Sequence, residues 1–294
     1  MRKDLSRFMG KIWVTGGNGQ LGLQLRAMTA GNKDWLFTDL PEIDICDAAA
    51  CRAWVTEQRI RTIVHCAAYT AVDRAESEPE TVYRVNTQAT LQLARIALEN
   101  QANLVFISTD YVFEGNLNRP CLESDPCAPL SVYGRSKREA ETGIQQIGVR
   151  GITLRTSWLY SAYGNNFVKT MLRLADERPA LQVVSDQIGS PTHAKDLAQA
   201  IIDILPQLDT KPFFGEIFHF SNEGTCSWYD LAKATLELAG KTCPVHPITT
   251  AQYPTAAARP MHSVLSKEKI RKTFGVKTPQ WQESLAELLQ TLAQ

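Results

Sequence analysis

A short apolar run that breaks directly into glycines constrains the fold of this chain more than any other feature. Residues 11–15, Lys-Ile-Trp-Val-Thr, have the length and character of a buried strand. Gly16-Gly17-Asn18-Gly19-Gln20-Leu21-Gly22 follows at once, and then an apolar periodic stretch through Leu25 and Met28. Strand, glycine turn and helix in that order form the context of a dinucleotide fingerprint. In Gly16-x-x-Gly19-x-x-Gly22 the first glycine allows the tight turn and the second lets backbone approach a pyrophosphate. The third lets the helix pack closely on the strand. The helix N-terminus then presents free amides and a positive dipole end. The next apolar run, Trp35-Leu36-Phe37-Thr38, ends in Asp39, about 20 residues past the glycines, where an acid holds a ribose hydroxyl. Ordinary turn glycines and a solvated acid are the plain alternatives.

The rhythm continues. Asp47 is placed to cap a helix to about Gln58, residues 62–68 read as a buried strand, and Ser77-Glu78-Pro79-Glu80 reads as a capping box. The helix that it opens carries Val82, Val85, Leu91, Leu93, Ile96 and Leu98 to near Asn100. Residues 103–108 and 151–155 are further strands. Repeated βαβ units predict an α/β protein, a doubly wound parallel sheet of Rossmann type. Ligands of such sheets lie beyond the carboxyl ends of the strands, and Asp39, Ala67-Ala68-Tyr69, Ser108-Thr109-Asp110 and Thr156-Ser157-Trp158 all fall there. Residues 1–160 are expected to form the dinucleotide-binding domain. Residues 161–294 form a smaller α/β domain over the substrate, parts of which are free to return to the main sheet. Helices are expected near 166–178, 193–205, 227–239 and 280–292, with β-like pieces at 181–185 and 216–221. The prolines between 244 and 260 mark a structured loop.

Tyr133-Gly134-Arg135-Ser136-Lys137 supplies the chemistry. Four residues apart on a helix, the phenol and the ammonium project from one face. A nearby lysine charge favours the phenolate and draws its pKa from about 10 toward neutrality. Such a tyrosine can protonate a carbonyl oxygen while hydride reaches its carbon. Alone, the spacing is equally that of an exposed helical pair.

Composition narrows the partners. The 294 residues carry 31 basic and 31 acidic side chains without a basic run, which argues against nucleic acid or an anionic membrane. No apolar stretch nears the roughly 20 residues that span a bilayer. The seven cysteines include no Cys-x-x-Cys pair and suggest reduced thiols in the cytoplasm. The five histidines show no ligand spacing, so no metal site is expected. Residues 1–10 are too charged and too poor in apolar residues for a signal peptide, and Met9 is an alternative start.

Together, the fingerprint, Ser108-Thr109-Asp110 and Tyr133-x-x-x-Lys137 resemble the extended short-chain dehydrogenases/reductases. Finer strings resemble the dTDP-4-dehydrorhamnose reductase family across about residues 11–285. They are Thr109-Asp110-Tyr111-Val112-Phe113, Arg155 through Tyr160, Asn165-Asn166-Phe167, Gly189 through Thr192, Ala68 through Asp73 with Ala75-Glu76, and Ala258-Arg259-Pro260. The resemblance implies reduction of the C4 ketone of dTDP-4-dehydro-β-L-rhamnose by NADPH or NADH, with Tyr133 as proton donor. Lys137 would hold the nicotinamide ribose, and Thr109, where most relatives carry serine, would polarise the ketone. It places Gly19, Gln20 and Leu21 around the pyrophosphate, Asp39, Asp44 and Ile45 near the adenosine, and Ala67, Ala68 and Tyr69 along the path to the nicotinamide. Asp110, Trp158, Asn166, the Gly189–Thr192 turn and Arg259 would meet the sugar nucleotide, Arg259 at the diphosphate or else at the domain interface. Some relatives pair as homodimers through the C-terminal half. Dual cofactor use is expected: Asp39 favours NADH, and no arginine lies inside the glycine turn to receive a 2′-phosphate, leaving Lys33 or another residue for that role.

Other readings share the fold. A 4,6-dehydratase follows its threonine with Asp-Glu, whereas Thr109 is followed by Asp110 and Tyr111. An epimerase carries a small apolar motif after that strand. Reduction of another nucleotide-keto-sugar remains a reading, as does a non-catalytic NADP-binding subunit like the regulatory subunit of methionine adenosyltransferase.

Overall fold

Alternate residues of the first strand are buried on opposite sides, and that alternation sets the layers. In the computed structural model, which describes residues 10–293, Ile12 and Val14 enter one core while Trp13 enters the other. The first half runs β1 (Lys11–Thr15), α1 (Gln20–Met28), β2 (Trp35–Thr38), α2 (Ala48–Gln58), β3 (Ile60–His65), α3 (Val72–Ala75), α4 (Pro79–Tyr83), α5 (Ala89–Glu99), β4 (Asn103–Thr109), α6 (Val132–Ile147) and β5 (Gly151–Thr156). Then come β6 (Leu159–Tyr160), α7 (Phe167–Glu177), β7 (Leu181–Val184), β8 (Ile188–Gly189), β9 (Thr192–His193), α8 (Ala194–Leu208), β10 (Phe214–His219), β11 (Cys226–Ser227), α9 (Trp228–Leu238), β12 (Val245–Ile248), α10 (Glu268–Phe274) and α11 (Trp281–Leu292).

Six strands form one parallel sheet in the order β10-β5-β4-β3-β1-β2. The chain winds from β1 out to β2 and then crosses back to β3, which opens a crevice at the carboxyl ends. Helices α1, α8 and α10 cover one face, packing Leu25, Ile201 and Ile270 against Val14, Val105 and Leu154. Helices α2, α5 and α6 cover the other, with Val55, Leu93 and Ile144 against Trp13, Ile63 and Phe106. A second cluster lies beyond the strand ends, where Val168 of α7, Leu231 of α9 and Leu285 of α11 surround Tyr160. Strand β10 and helix α8, from the second half of the chain, belong to the main sheet and its cover. Among the described residues, no helix is long and apolar enough to cross a membrane. Met9 lies outside them.

Two local expectations change. The capping box at Ser77 does not form: Ser77 donates to the carbonyl of Arg74, and Glu78 is the N-cap residue without a side-chain cap. The Glu78 carboxylate is taken instead by the Tyr69 hydroxyl and Arg74. The helix expected from there to Asn100 is interrupted by a π turn over Arg84–Gln88. The proline-rich segment after 244 also contains a strand, since β12 pairs in parallel with β7.

A buried ion pair joins three elements near the strand ends. Glu141 on α6 accepts from Arg155 on β5 at 2.6 and 2.8 Å and from the Ser108 hydroxyl on β4 at 2.6 Å, and both charged side chains are fully buried. Removing one partner strands the other charge without solvent. Glu141→Ala is expected to lower unfolding free energy by about 3–5 kcal/mol, read from urea titrations; a change near zero would show that the pair does not hold this joint.

Candidate active site

The glycine turn is built for close approach. Gly16 has φ +67° and sits so near β3 that a Cβ would lie 2.6 Å from the Ala67 nitrogen; one on Gly22 would lie 2.3 Å from the Gly16 carbonyl oxygen. Only glycine lets α1 start this close to the sheet. Gly19 caps α1 without a side-chain bond, and Leu23 is the first amide to bond back, to the Gly19 carbonyl. The amides of Gln20, Leu21 and Gly22 therefore lack an i−4 carbonyl, as the first turn of any helix does. Asp39 closes the far side: one carboxylate oxygen accepts from the Asn18 amide at 3.0 Å and the other from Leu40 at 2.9 Å.

From this turn a continuous cleft of 720 Å³ runs along the strand ends. Gly16, Gly19, Gln20, Leu21, Gly22, Asp39, Asp44, Ile45, Ala67 and Ala68 line one end, with Asn166 beside Gln20; Thr109, Asp110, Tyr133, Lys137 and Trp158 line the rest. The sequence places these residues up to 150 positions apart, and the parallel sheet brings them to one edge. Tyr69 and Arg259 are not on the wall. The Tyr69 hydroxyl donates to Glu78 at 2.8 Å, and its backbone is held at both ends by Asn86. Arg259 makes a two-pronged ion pair with Asp73 at 2.6 and 3.0 Å, which ties the 257–259 segment to α3. In the Gly189–Thr192 turn, Ser190 is fully buried, donating to the Gly224 carbonyl and leaving its own carbonyl to Ser157. Lys33 precedes β2, at the opposite end of that strand from Asp39.

At the sugar end, Thr109 terminates β4 and accepts from the Tyr111 amide at 3.2 Å. Its hydroxyl also meets Asp110, at 3.1 Å, and the Tyr133 phenol. Burial pushes Tyr133 up to about 12, with the Thr109 hydroxyl pulling it back and the Asp110 charge adding to the rise. This opposes the direction expected from Lys137 alone, because the lysine ammonium is turned elsewhere: it donates to the Ile107 carbonyl at 2.5 Å and lies 4.1 Å from the centre of the Phe106 ring. Asp110 is itself pushed up to about 6, chiefly by burial.

Trp158 has a left-handed backbone, φ +48°, and stacks on Trp228 at 3.6 Å. A Cβ on Gly189 would fall 2.7 Å from its ring, so the indole is wedged between a glycine backbone and a second indole. Asn166 caps α7 and donates to the Gln20 side chain at 3.1 Å, which links the glycine turn to the second cluster.

Residues the sequence reading left out position the helix. Asn86 and Thr87 in the π turn both bond Ser136, which lies between Tyr133 and Lys137: the Asn86 amide donates to its hydroxyl and Thr87 to its carbonyl. The π turn points both polar side chains at α6, a use common for such turns. Their one signal was a polar pair interrupting the apolar spacing between Val85 and Leu91.

The geometry agrees with the comparisons. A family model described as RmlD substrate binding domain matches residues 10–294. The chain is 40% identical to a dTDP-4-dehydrorhamnose reductase of Sinorhizobium fredii, covering 96% of this chain and 97% of the relative, and 38% identical to one of Escherichia coli K12 at the same coverage. Among solved structures, a dTDP-4-dehydrorhamnose reductase of Clostridium acetobutylicum superposes with TM-score 0.92 at 37% identity, covering 97% of this chain and 100% of that one. One of Bacillus anthracis in complex with NADP gives 0.91, also at 37%, covering 96% and 99%. A UDP-glucose 4-epimerase of Thermus thermophilus, 20% identical, shares the fold alone. The chain belongs to the dTDP-4-dehydrorhamnose reductase family.

Proposed function

We propose that this chain reduces the C4 ketone of dTDP-4-dehydro-β-L-rhamnose to dTDP-β-L-rhamnose with NADPH or NADH, a cytoplasmic step toward activated deoxysugar for bacterial surface polysaccharide. One observation carries the reading: Tyr133, Lys137 and Thr109 line the same cleft as the Gly16–Gly22 cradle. The cradle suits a dinucleotide, since its glycines leave backbone where a Cβ would collide and its amides meet the cleft. Gly19, Gln20 and Leu21 would hold the pyrophosphate, Asp39 the adenosine ribose, and Lys137 the ribose near the sugar. Bound NAD(P)H supplies the hydride.

The chain's own groups manage the proton. Held up to about 12, Tyr133 keeps its proton at working pH, and a developing alkoxide at sugar C4 is the stronger base, so the proton moves from phenol to alkoxide. The Thr109 hydroxyl has one proton to give. While it donates to Asp110 it can accept from the neutral phenol; when the phenol loses its proton, rotation lets Thr109 donate to the phenolate and steady it. Trp158, held by its stack on Trp228, lines the cleft, an apolar surface suited to the deoxyhexose. Asp110 is the one carboxylate of the cleft wall beside Thr109, the other two being Asp39 and Asp44 at the far end. A dehydratase needs a second acid at Thr109, and Tyr111 stands there. Seven free thiols support the cytoplasmic assignment.

Tyr133→Phe is expected to cut turnover by about 10²–10⁴-fold while NADPH binding holds, measured as NADPH oxidation with enzymatically generated dTDP-4-dehydro-β-L-rhamnose and chromatography of the product. Near-normal turnover would defeat the proton-donor role, and no oxidation by the unaltered chain would defeat the substrate assignment.

A pH effect follows from Lys137. Burial pushes its ammonium down to about 7, with Glu141 opposing. Unfolded, the group keeps its proton to about 10.5. Between those values the unfolded chain holds the extra proton, so stability rises with pH; below about 7 both states are protonated and the cost of burial is full. Buried thiols such as Cys51 and Cys66, which burial pushes up, work in the opposite direction above about pH 9, so the readout is a difference: the urea stability of the nucleotide-free protein minus that of Lys137→Met, which shares those thiols, should rise across the window. A difference that stays flat with pH would show that Lys137 does not titrate there.

A further inference from the structure

We propose that Arg26 is the residue that admits the 2′-phosphate of NADPH, and that Asp39 and Arg26 together give the cleft its dual cofactor use. The inference rests on the dinucleotide reading above and assigns one end of that site.

The adenosine end of the cleft is short of positive charge. Asp39 and Asp44 line it, and the one cation on the whole wall, Lys137, lies at the sugar end. Asp39 cannot swing aside, because the Asn18 and Leu40 amides each hold one of its oxygens. A ribose diol can still donate to its remaining lone pairs, whereas a 2′-phosphate would meet a fixed negative charge. A cation has to stand close by if NADPH is to bind.

Arg26 stands there. It lies one turn beyond Gly22 on α1, and long side chains on a helix lean back toward the N-terminus, here toward the glycine turn. Its Nη2 lies 3.2 Å from the point that a Cβ on Gly17 would occupy, beside the Thr38 carbonyl at the end of β2. Gly17 donates its amide to that same carbonyl, and Asn18 donates to Asp39. The guanidinium is thus next to Gly17, the residue before Asn18, whose amide holds one oxygen of the Asp39 carboxylate. It is steadied 4.9 Å from the centre of the Phe37 ring, is exposed, and makes no ion pair with any described residue, so its donors are free for a phosphate. Gly17 matters for the same reason: a side chain there would fill the space that the guanidinium uses. Arginine suits the task because its planar fork meets two phosphate oxygens at once.

The test is titration of the sugar-free protein, followed by tryptophan fluorescence or calorimetry, with four probes: NADPH, NADH, 2′,5′-ADP and 5′-AMP. Arg26→Ala is expected to weaken NADPH and 2′,5′-ADP by about tenfold or more and to leave NADH and 5′-AMP as in the unaltered chain. Arg26→Lys should fall between, since it keeps the charge and loses the fork. The advantage of NADPH over NADH should shrink with salt in the unaltered chain and not in Arg26→Ala. Unchanged NADPH affinity in Arg26→Ala would overturn the assignment, as would equal loss of NADPH and NADH. An unaltered chain that binds neither dinucleotide would overturn the functional reading itself, and the assignment with it.

Discussion

The position of the reacting groups depends on the Glu141 carboxylate. It lies fully buried where α6, β4 and β5 meet, and it accepts from Ser108 and Arg155 at once. Ser108 is the residue before Thr109, and Glu141 is one helical turn beyond Lys137. A single carboxylate thus fixes the strand end that carries the hydroxyl and the helix that carries the phenol. Low dielectric makes each of these bonds strong and makes any misfit costly, so the three elements have one register. The Asn86 and Thr87 bonds to Ser136 hold the same helix from its other side.

With that joint set, the cleft acquires two ends of different character. At the sugar end the two groups are buried deeply enough to push Tyr133 up to about 12 and Lys137 down to about 7, each toward its neutral form. Burial outweighs the attraction between phenol and ammonium because the ammonium is spent on a backbone carbonyl and a ring face. The nucleotide end works through backbone instead, with glycines that allow approach and amides that the helix start leaves free. One end handles a proton; the other holds charge.

The elements legible in the sequence were those set by local rules. The strand before Gly16 and the helix after it, the Asp47 cap and the spacing of Tyr133 and Lys137 each follow from neighbours within a few residues, and each stands where those rules put it. Ser77 shows how such a rule is overridden. Its hydroxyl found a nearer acceptor in Arg74, and Glu78 was claimed by Tyr69, so the box had nothing left to close. The π turn after it leaves only a faint local trace, the polar pair Asn86-Thr87, because it is kept by bonds to a helix some 50 residues away. Arg26 went unread for a related reason: it lies outside the glycine turn in the sequence and folds back over it only in three dimensions.

By itself, then, the sequence determined the alternation of strands and helices, the glycine cradle and the residue types of the chemistry, since periodicity, chirality and side-chain pKa are properties of short segments. Tertiary structure decided which candidates reach the cleft. Arg259 and Asp73, 186 positions apart, pair with each other on its margin, while Gln20 and Asn166, 146 apart, meet on its wall. Tertiary structure also decided the protonation of Tyr133 and Lys137. A pKa near an ordinary value records contact with water, and only the packed fold removes that water.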